Sequence, residues 1–303
     1  MSVTAQSDEY RAGFVAVVGR PNVGKSTLVN AIAGAKVSIV TSKPQTTRHR
    51  ILAVDNGDDY QAVYVDTPGL HREAKKAMNR LMNRTAASAL ADADVVLFLT
   101  EAGRFTAEDE DVLARLPQSG ASVLAVLNKV DRVHPKTALL EHIDAMAKRR
   151  DFDEIVPLCA RRHDDVQRLR TLVPGFLPIS PPLFPRDVIT DRSDAFRAAE
   201  IVREKLIVEL RQEVPYGLTV EVERYERADD GASIHAVVWV ERDSQKGIVV
   251  GKGGQLLKRI GRAARLELKH ELGMPVHLEL WVKVKDNWAD NVEELKRLGF
   301  ENA

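Results

Sequence analysis

Lys25 sits between a glycine and two hydroxyls in Gly19-Arg20-Pro21-Asn22-Val23-Gly24-Lys25-Ser26-Thr27, which has the spacing G-x-x-x-x-G-K-[ST]. A turn of this kind converges backbone N–H groups on one anion, and a helix that follows adds the positive end of its dipole. Lys25 can then reach the β- and γ-phosphates of a nucleotide, and the Ser26 hydroxyl can ligate Mg²⁺. Further along, Asp66-Thr67-Pro68-Gly69 supplies a carboxylate that can hold Mg²⁺ through water, then a glycine whose N–H can meet a γ-phosphate. Thr47, in the polar stretch between the two motifs, is the preferred candidate to complete the metal shell, with its neighbour Thr46 as rival. Asn128-Lys129-Val130-Asp131 brings a second carboxylate. Asp131 can accept hydrogen bonds from the N1–H and N2 amine of guanine, whereas adenine offers an acceptor at N1 and no N2 amine. A polar site left unpaired by the wrong base can discriminate by about 10⁴–10⁵. Asn128 would brace this loop, Lys129 would lie along the base, and a backbone N–H of Cys159-Ala160 could meet the guanine O6. The ligands implied are GTP or GDP with Mg²⁺.

These groups need a scaffold that brings strand ends together. Gly13–Val18, Asp94–Thr100 and Ser122–Leu127 are short, nearly continuous apolar runs, as in strands of a parallel sheet covered on both faces. Ile51–Val54 and Tyr60–Val65 read as two strands joined by the turn 55–59, and the second runs into Asp66. Glu154–Leu158 reads as the last strand. Helices are expected over 25–33, 72–91 and 106–116. The fold class is α/β: a P-loop domain with a mostly parallel sheet, followed by a smaller α+β domain.

The chain has 303 residues, enough for two domains, and 44% hydrophobic with 29% charged residues excludes a disordered protein. The net charge of zero means that any nucleic-acid surface must be a local patch. The single cysteine excludes an intramolecular disulfide and fits a reducing, cytoplasmic setting. There is no basic-then-apolar leader and no apolar run of about 18 residues, so neither a secretory signal nor a membrane span is expected. Peripheral contact with the inner face of a membrane stays open, and a monomer is expected. Pro174, Pro178, Pro181, Pro182 and Pro185 suggest an extended connector over 174–186 between domains 1–173 and 187–303.

The second half reads as a helix over 194–214, strands over 218–224 and 233–241, a short helix over 244–250 and then Gly251-Lys252-Gly253-Gly254. A helix over 255–272, an edge-type strand over 276–284 and a closing helix over 291–298 follow. The G-x-x-G turn lets a phosphate backbone approach helix N–H groups with no Cβ in the way. Between Arg242 and Lys269 there are eight Lys/Arg against two Asp/Glu. Lys258, Arg259, Arg262 and Arg265 share roughly one helix face.

G-x-x-x-x-G-K-S, T-R, D-T-P-G and N-K-V-D, in this order, resemble the motif set of translation-factor-class GTPases, and G-R-P-N-V-G-K-S-T-L-V-N is similar to the Era/TrmE/Eng branch. The second half resembles a type II KH domain. With P-P-L-F-P and I-V-V-G-K-G-G-Q-L-L-K-R-I-G, nearly the whole chain resembles the bacterial Era family. The resemblance implies a GTP-hydrolysing switch that binds 16S rRNA near its 3′ end and assists assembly of the 30S subunit. It also implies that Asn22 could help to hold K⁺ against the phosphates. Two positions depart from relatives. Leu70 stands where Ras-like proteins carry a water-orienting glutamine, so hydrolysis should be slow without help. Cys159 replaces a usual serine, at a position where the expected contact is backbone. A membrane-associated signalling GTPase, whose second domain meets protein or anionic lipid, is the alternative.

Overall fold

In the computed structural model, residues 10–69, 76–210 and 214–300 are described. The first half folds as β1 (Arg11–Val18), α1 (Lys25–Ala33), β2 (Ile51–Asn56), β3 (Tyr60–Asp66), α2 (Ala77–Ala91), β4 (Val95–Glu101), α3 (Ala107–Leu113), β5 (Ser122–Asn128), α4 (Thr137–Ala147), β6 (Glu154–Pro157) and α5 (His163–Leu172). The six strands form one sheet in the order β2-β3-β1-β4-β5-β6, parallel except for β2. Apolar residues fill β1, β4 and β5 because both sheet faces are covered: Ala16, Val96, Phe98 and Ala125 pack with Val112, Met146 and Leu127 in one core. α4 and α5, which have no counterpart in the sequence reading, precede and follow β6. α5 carries four charged residues in ten, whereas α4, TALLEHIDAMA, carries two in eleven and has an apolar period that the sequence does show.

The strand order turns back at β1, whose neighbours are β3 and β4. The C-terminal ends of β1, β3 and β5 therefore carry Gly19, Asp66 and Asn128 to one edge, the place where open parallel sheets bind ligands.

The proline-rich stretch continues the first unit. The Ala12 N–H donates to the Pro178 carbonyl at 3.1 Å, and Gln61, fully buried on β3, accepts at Oε1 from the N–H groups of Leu183 and Phe184 at 2.7 and 2.9 Å. Residues 174–176 belong to a 3₁₀ turn, Val173–Phe176, in place of the extended form expected there, and the residues after it are stitched along the sheet. The first compact unit comprises Met1–Val37, Arg50–Leu70 and Thr85–Asp191.

The second unit comprises Ser38–His49, His71–Arg84 and Arg192–Ala303. It contains α6 (Asp194–Glu209), β7 (Leu218–Ala228), β8 (Gly231–Val240), α7 (Asp243–Val250), α8 (Gln255–Leu272), β9 (Val276–Val284) and α9 (Val292–Arg297). β7 and β8 form a hairpin, longer than expected and bulged between Val222 and Arg224. β9 pairs parallel to β8 at the sheet edge, which requires the α7–α8 crossover. Ile201, Val202 and Leu206 of α6 pack with Ile260, Ala264 and Leu268 of α8 and with Ile234 and Val238 of β8. α6 ends at Glu209, short of the expected 214, because Leu210 turns to an extended backbone with its side chain buried in that core.

Two segments from the first half complete the second unit. Ala77, Met78 and Met82 cluster with Trp288, Leu295 and Phe300. Residues 38–49 are held by several groups. The Val40 N–H donates to Glu204 Oε1 at 2.9 Å, and Arg203 Nη2 donates to the Thr46 carbonyl at 2.5 Å. Arg48 Nη1 donates to the Leu218 carbonyl at 2.6 Å, and His49 Nδ1 donates to the Gly299 carbonyl at 3.2 Å. Among the described residues, no helix is long and apolar enough to cross a membrane.

Candidate functional site

The turn from β1 to α1 positions the phosphate motif. Gly24 caps α1 with φ 106°, and a Cβ there would lie 2.3 Å from Asn128 Nδ2. Only glycine fits that approach. Asn128 explains the tightness: its Nδ2 donates to the Val23 carbonyl at 2.8 Å, and its Oδ1 accepts from the N–H groups of Lys129 and Ala160 at 2.8 and 3.0 Å. One buried side chain joins the phosphate turn, the N-K-V-D loop and the loop after β6.

Lys25 Nζ donates to the carbonyls of Gly19 and Arg20 at 2.9 and 3.1 Å. Burial lowers its pKa to about 8, opposed by the nearby Asp66 carboxylate. A buried cation in the turn before α1 suits a polyphosphate. Ser26 Oγ donates to Asp66 Oδ2 at 2.7 Å. This hydroxyl and carboxylate, both hard oxygen donors, fit Mg²⁺. Thr27 is half-buried beside them, and Thr67 Oγ1 donates to the Val17 carbonyl at 3.1 Å, fixing the strand end that carries Asp66. A Cβ at Gly69 would lie 3.1 Å from Pro21 Cγ, so the D-T-P-G turn approaches the phosphate turn closely. Leu70 lies outside the described residues. Thr47 is buried and belongs to the second unit. Its neighbour Thr46 pairs its hydroxyl with that of Thr41 at 2.6 Å.

Asn22 is exposed and adopts a left-handed backbone at φ 65°, and its carbonyl accepts from Lys129 Nζ at 2.8 Å. Lys129 also has φ 65°. The Asp131 carboxyl is held below its usual pKa, chiefly by a hydrogen bond from the Cys159 thiol. The Cys159 pKa is correspondingly raised, first by burial and then by that bond. The Cys159 N–H donates to Asp165 Oδ2 at 2.8 Å, so both N–H groups expected to face a base carbonyl have internal acceptors in this arrangement. Sequence reasoning passed over Glu101, at the end of β4, and Arg20, an unspecified letter of the phosphate motif. Their available signal was position at the same sheet edge.

In the second unit Gly251, Gly253 and Gly254 have φ of 72°, 58° and 76°. A Cβ at Gly251 would meet Leu256 Cβ at 2.7 Å, so the turn folds tightly against the start of α8. Lys252 and Gly253 are exposed at its tip. Lys258, Arg259, Arg262 and Arg265 lie along α8, and Arg259 Nη2 is engaged by Glu209 Oε2 at 2.6 Å. The arrangement can grip a phosphate chain at a helix N-terminus beside a basic face.

The 50S ribosome-binding GTPase family model matches residues 14–129 and the KH domain model matches residues 213–289. GTPase Era of Vibrio parahaemolyticus is 49% identical over 97% of this chain and 92% of that protein. The fold is similar to a single-residue variant of Aquifex aeolicus Era bound to GDP·AlF4⁻, with TM-score 0.91 and 38% identity, covering 96% of this chain and 100% of that one. It is equally similar, at TM-score 0.91 and 38% identity over 97% of this chain and 100% of that one, to Era in complex with MgGDPNP and nucleotides 1506–1542 of 16S ribosomal RNA. With a P-loop unit, a KH unit and this likeness along nearly its whole length, the chain belongs to the Era family of GTPases.

Proposed function

We propose that this GTPase binds a single-stranded segment near the 3′ end of 16S rRNA and assists assembly of the 30S subunit. The observation that carries the reading is the Gly251–Gly254 turn, with Lys252 and Gly253 exposed at its tip, at the N-terminus of a basic α8. An Era of 38% identity has been captured with nucleotides 1506–1542 of that RNA. KH grooves hold about four unpaired nucleotides, with the backbone at the G-x-x-G turn. Gly251, Lys252, Gly253 and Gly254 would take the phosphates, and Lys258 and Arg262 would add charge alongside. Arg259 contributes after release from Glu209. Crosslinking in cells should cluster at the 3′ end of small-subunit rRNA, and reads scattered over unrelated RNA would refute the assignment.

In the GTP site, Gly19, Asn22, Val23, Gly24 and Thr27 shape the turn around the phosphates, Lys25 neutralises them, and the Gly69 N–H meets the terminal one. Ser26, Thr47 and Asp66 (through water) would hold Mg²⁺, which when bound neutralises charge on the β and γ oxygens. Asp131 reads guanine, with Asn128, Lys129 and Cys159-Ala160 shaping its pocket. Hydrolysis is slow without an activator. Asn22 is proposed to help hold K⁺, and equal turnover in KCl and NaCl at matched ionic strength would remove that role.

Nucleotide and RNA binding are coupled through residues 38–50. This segment carries Thr47, and in the second unit it is fastened to α6 by Glu204 and Arg203. Ordering it around GTP would therefore act on α6. Equal RNA affinity with GTP analogue, GDP and no nucleotide would refute the coupling.

A further inference from the structure

Glu101 ends β4, paired with Asn128 across the sheet, and its carboxylate meets cations from two nucleotide-binding segments. Its Oε2 lies 3.2 Å from Arg20 Nη2 in the phosphate turn and 3.2 Å from Lys129 Nζ in the N-K-V-D loop. Its Oε1 lies 3.5 Å from Arg132 Nη1. Arg20 is itself fixed from the other side, because its Nε donates to Asp109 Oδ2 at 3.1 Å. That Asp109 oxygen also accepts from the N–H and hydroxyl of Thr106 at 2.9 Å each, so the start of α3 locks its orientation.

We propose that Glu101 is a positioning residue that ties the phosphate turn to the base-binding loop, so that nucleotide is held by both or by neither. Two features of the site support it. The carboxylate stands on a strand end, a rigid support. Lys129 has a left-handed backbone, which a non-glycine residue keeps only where its surroundings over-determine it. The Lys129 N–H bond to Asn128 Oδ1 and the Arg132 N–H bond to the Lys129 carbonyl fix that backbone, and Glu101 and the Asn22 carbonyl then fix where the ammonium lies. This inference rests on the assignment of Lys129 and Asp131 to the base.

The test is the dissociation rate of fluorescent mant-GDP from the full-length protein at fixed Mg²⁺. Glu101→Gln keeps size and hydrogen-bonding capacity but removes the charge, and should speed release by about tenfold, the scale of one charge-assisted hydrogen bond. Lys129→Met should also speed release, and adding Glu101→Gln to it should change the rate by less than about twofold. Multiplicative effects of the two changes, or a Glu101→Gln rate within about twofold of the parent, would overturn the proposal. If Glu101→Gln does not fold, Glu101→Asp, which holds the charge one methylene short of Arg20 and Lys129, takes its place in the same cycle. Failure of the base assignment is separable. Asp131→Asn should move preference from guanine to xanthine nucleotides, and no such move would sink that assignment whatever the cycle shows.

Discussion

His49 gives the second unit a predictable acid sensitivity. Its ring lies 4.4 Å from that of Phe300 and 5.1 Å from that of Phe196, and burial lowers its pKa to about 4. Glu200 pulls the value up, Arg203 and Arg192 push it down, and the bond to the Gly299 carbonyl raises it. In the unfolded chain the same ring titrates near 6.5. Between these values the unfolded state binds the extra proton, so stability falls as the pH drops. The contribution is fully present above pH 6.5 and is lost as the pH falls through about 4. Its size is about 3 kcal/mol at pH 4, at roughly 1.4 kcal/mol per tenfold change in proton affinity. The perturbation is His49→Phe, which keeps an aromatic ring between Phe196 and Phe300 but cannot titrate. It leaves the Gly299 carbonyl without this donor, at a cost of about 1 kcal/mol at every pH. The variant should therefore be less stable than the parent at pH 7 and more stable by about 2 kcal/mol at pH 4, with the curves crossing at about pH 6. Glu200 also titrates in acid and is coupled to His49, so losing the imidazole raises the Glu200 pKa as well, and that change is part of the measured difference. Urea unfolding followed by tryptophan fluorescence isolates the effect, because Trp239, Trp281 and Trp288 all belong to the second unit. Parallel pH curves for the two proteins would show that His49 is not held neutral in the core.

Arg203→Ala should be far more damaging than a surface change. It leaves Glu200 buried without the guanidinium that now meets both its oxygens at 2.6 Å, at a cost of about 3–5 kcal/mol in the same unfolding assay. Gly24→Ala should abolish nucleotide binding measured by calorimetry while leaving the tryptophan-reported unfolding midpoint unchanged, because the new Cβ collides with Asn128 Nδ2 in the first unit only. Retained binding would show that the turn can yield at that point.

The motifs were legible in the sequence because each needs residue types that little else can replace: glycine at a crowded left-handed turn, a lysine beside it, a carboxylate at a strand end. The parallel sheet was legible for a related reason, since β1, β4 and β5 are apolar on both faces. α5 escaped because charge crowds its sequence, while α4 has an apolar period that was open to reading. The places of Glu101 and Arg20 escaped because an ion pair between residues 81 apart leaves no local pattern. Arg48 and His49 lie in a polar, basic stretch of sequence, yet both are buried, and burial lowers the Arg48 pKa to about 9. The sequence shows their charge but not the backbone carbonyls of Leu218, Tyr216 and Gly299 that receive them.

The three-piece make-up of the second unit bears on how the chain can be divided. A protease or an engineer cutting among Pro174–Pro185 would seem to separate two modules. The N-terminal fragment would keep Met78 and Met82 without Trp288 and Phe300, and Arg48 without the carbonyls that satisfy it. The C-terminal fragment would lose the strip that Glu204 and Arg203 fasten to α6. Neither fragment inherits a finished surface, so recombining these halves with other partners demands replacement of the missing strips. In this chain the boundary in sequence and the boundary in packing are different lines.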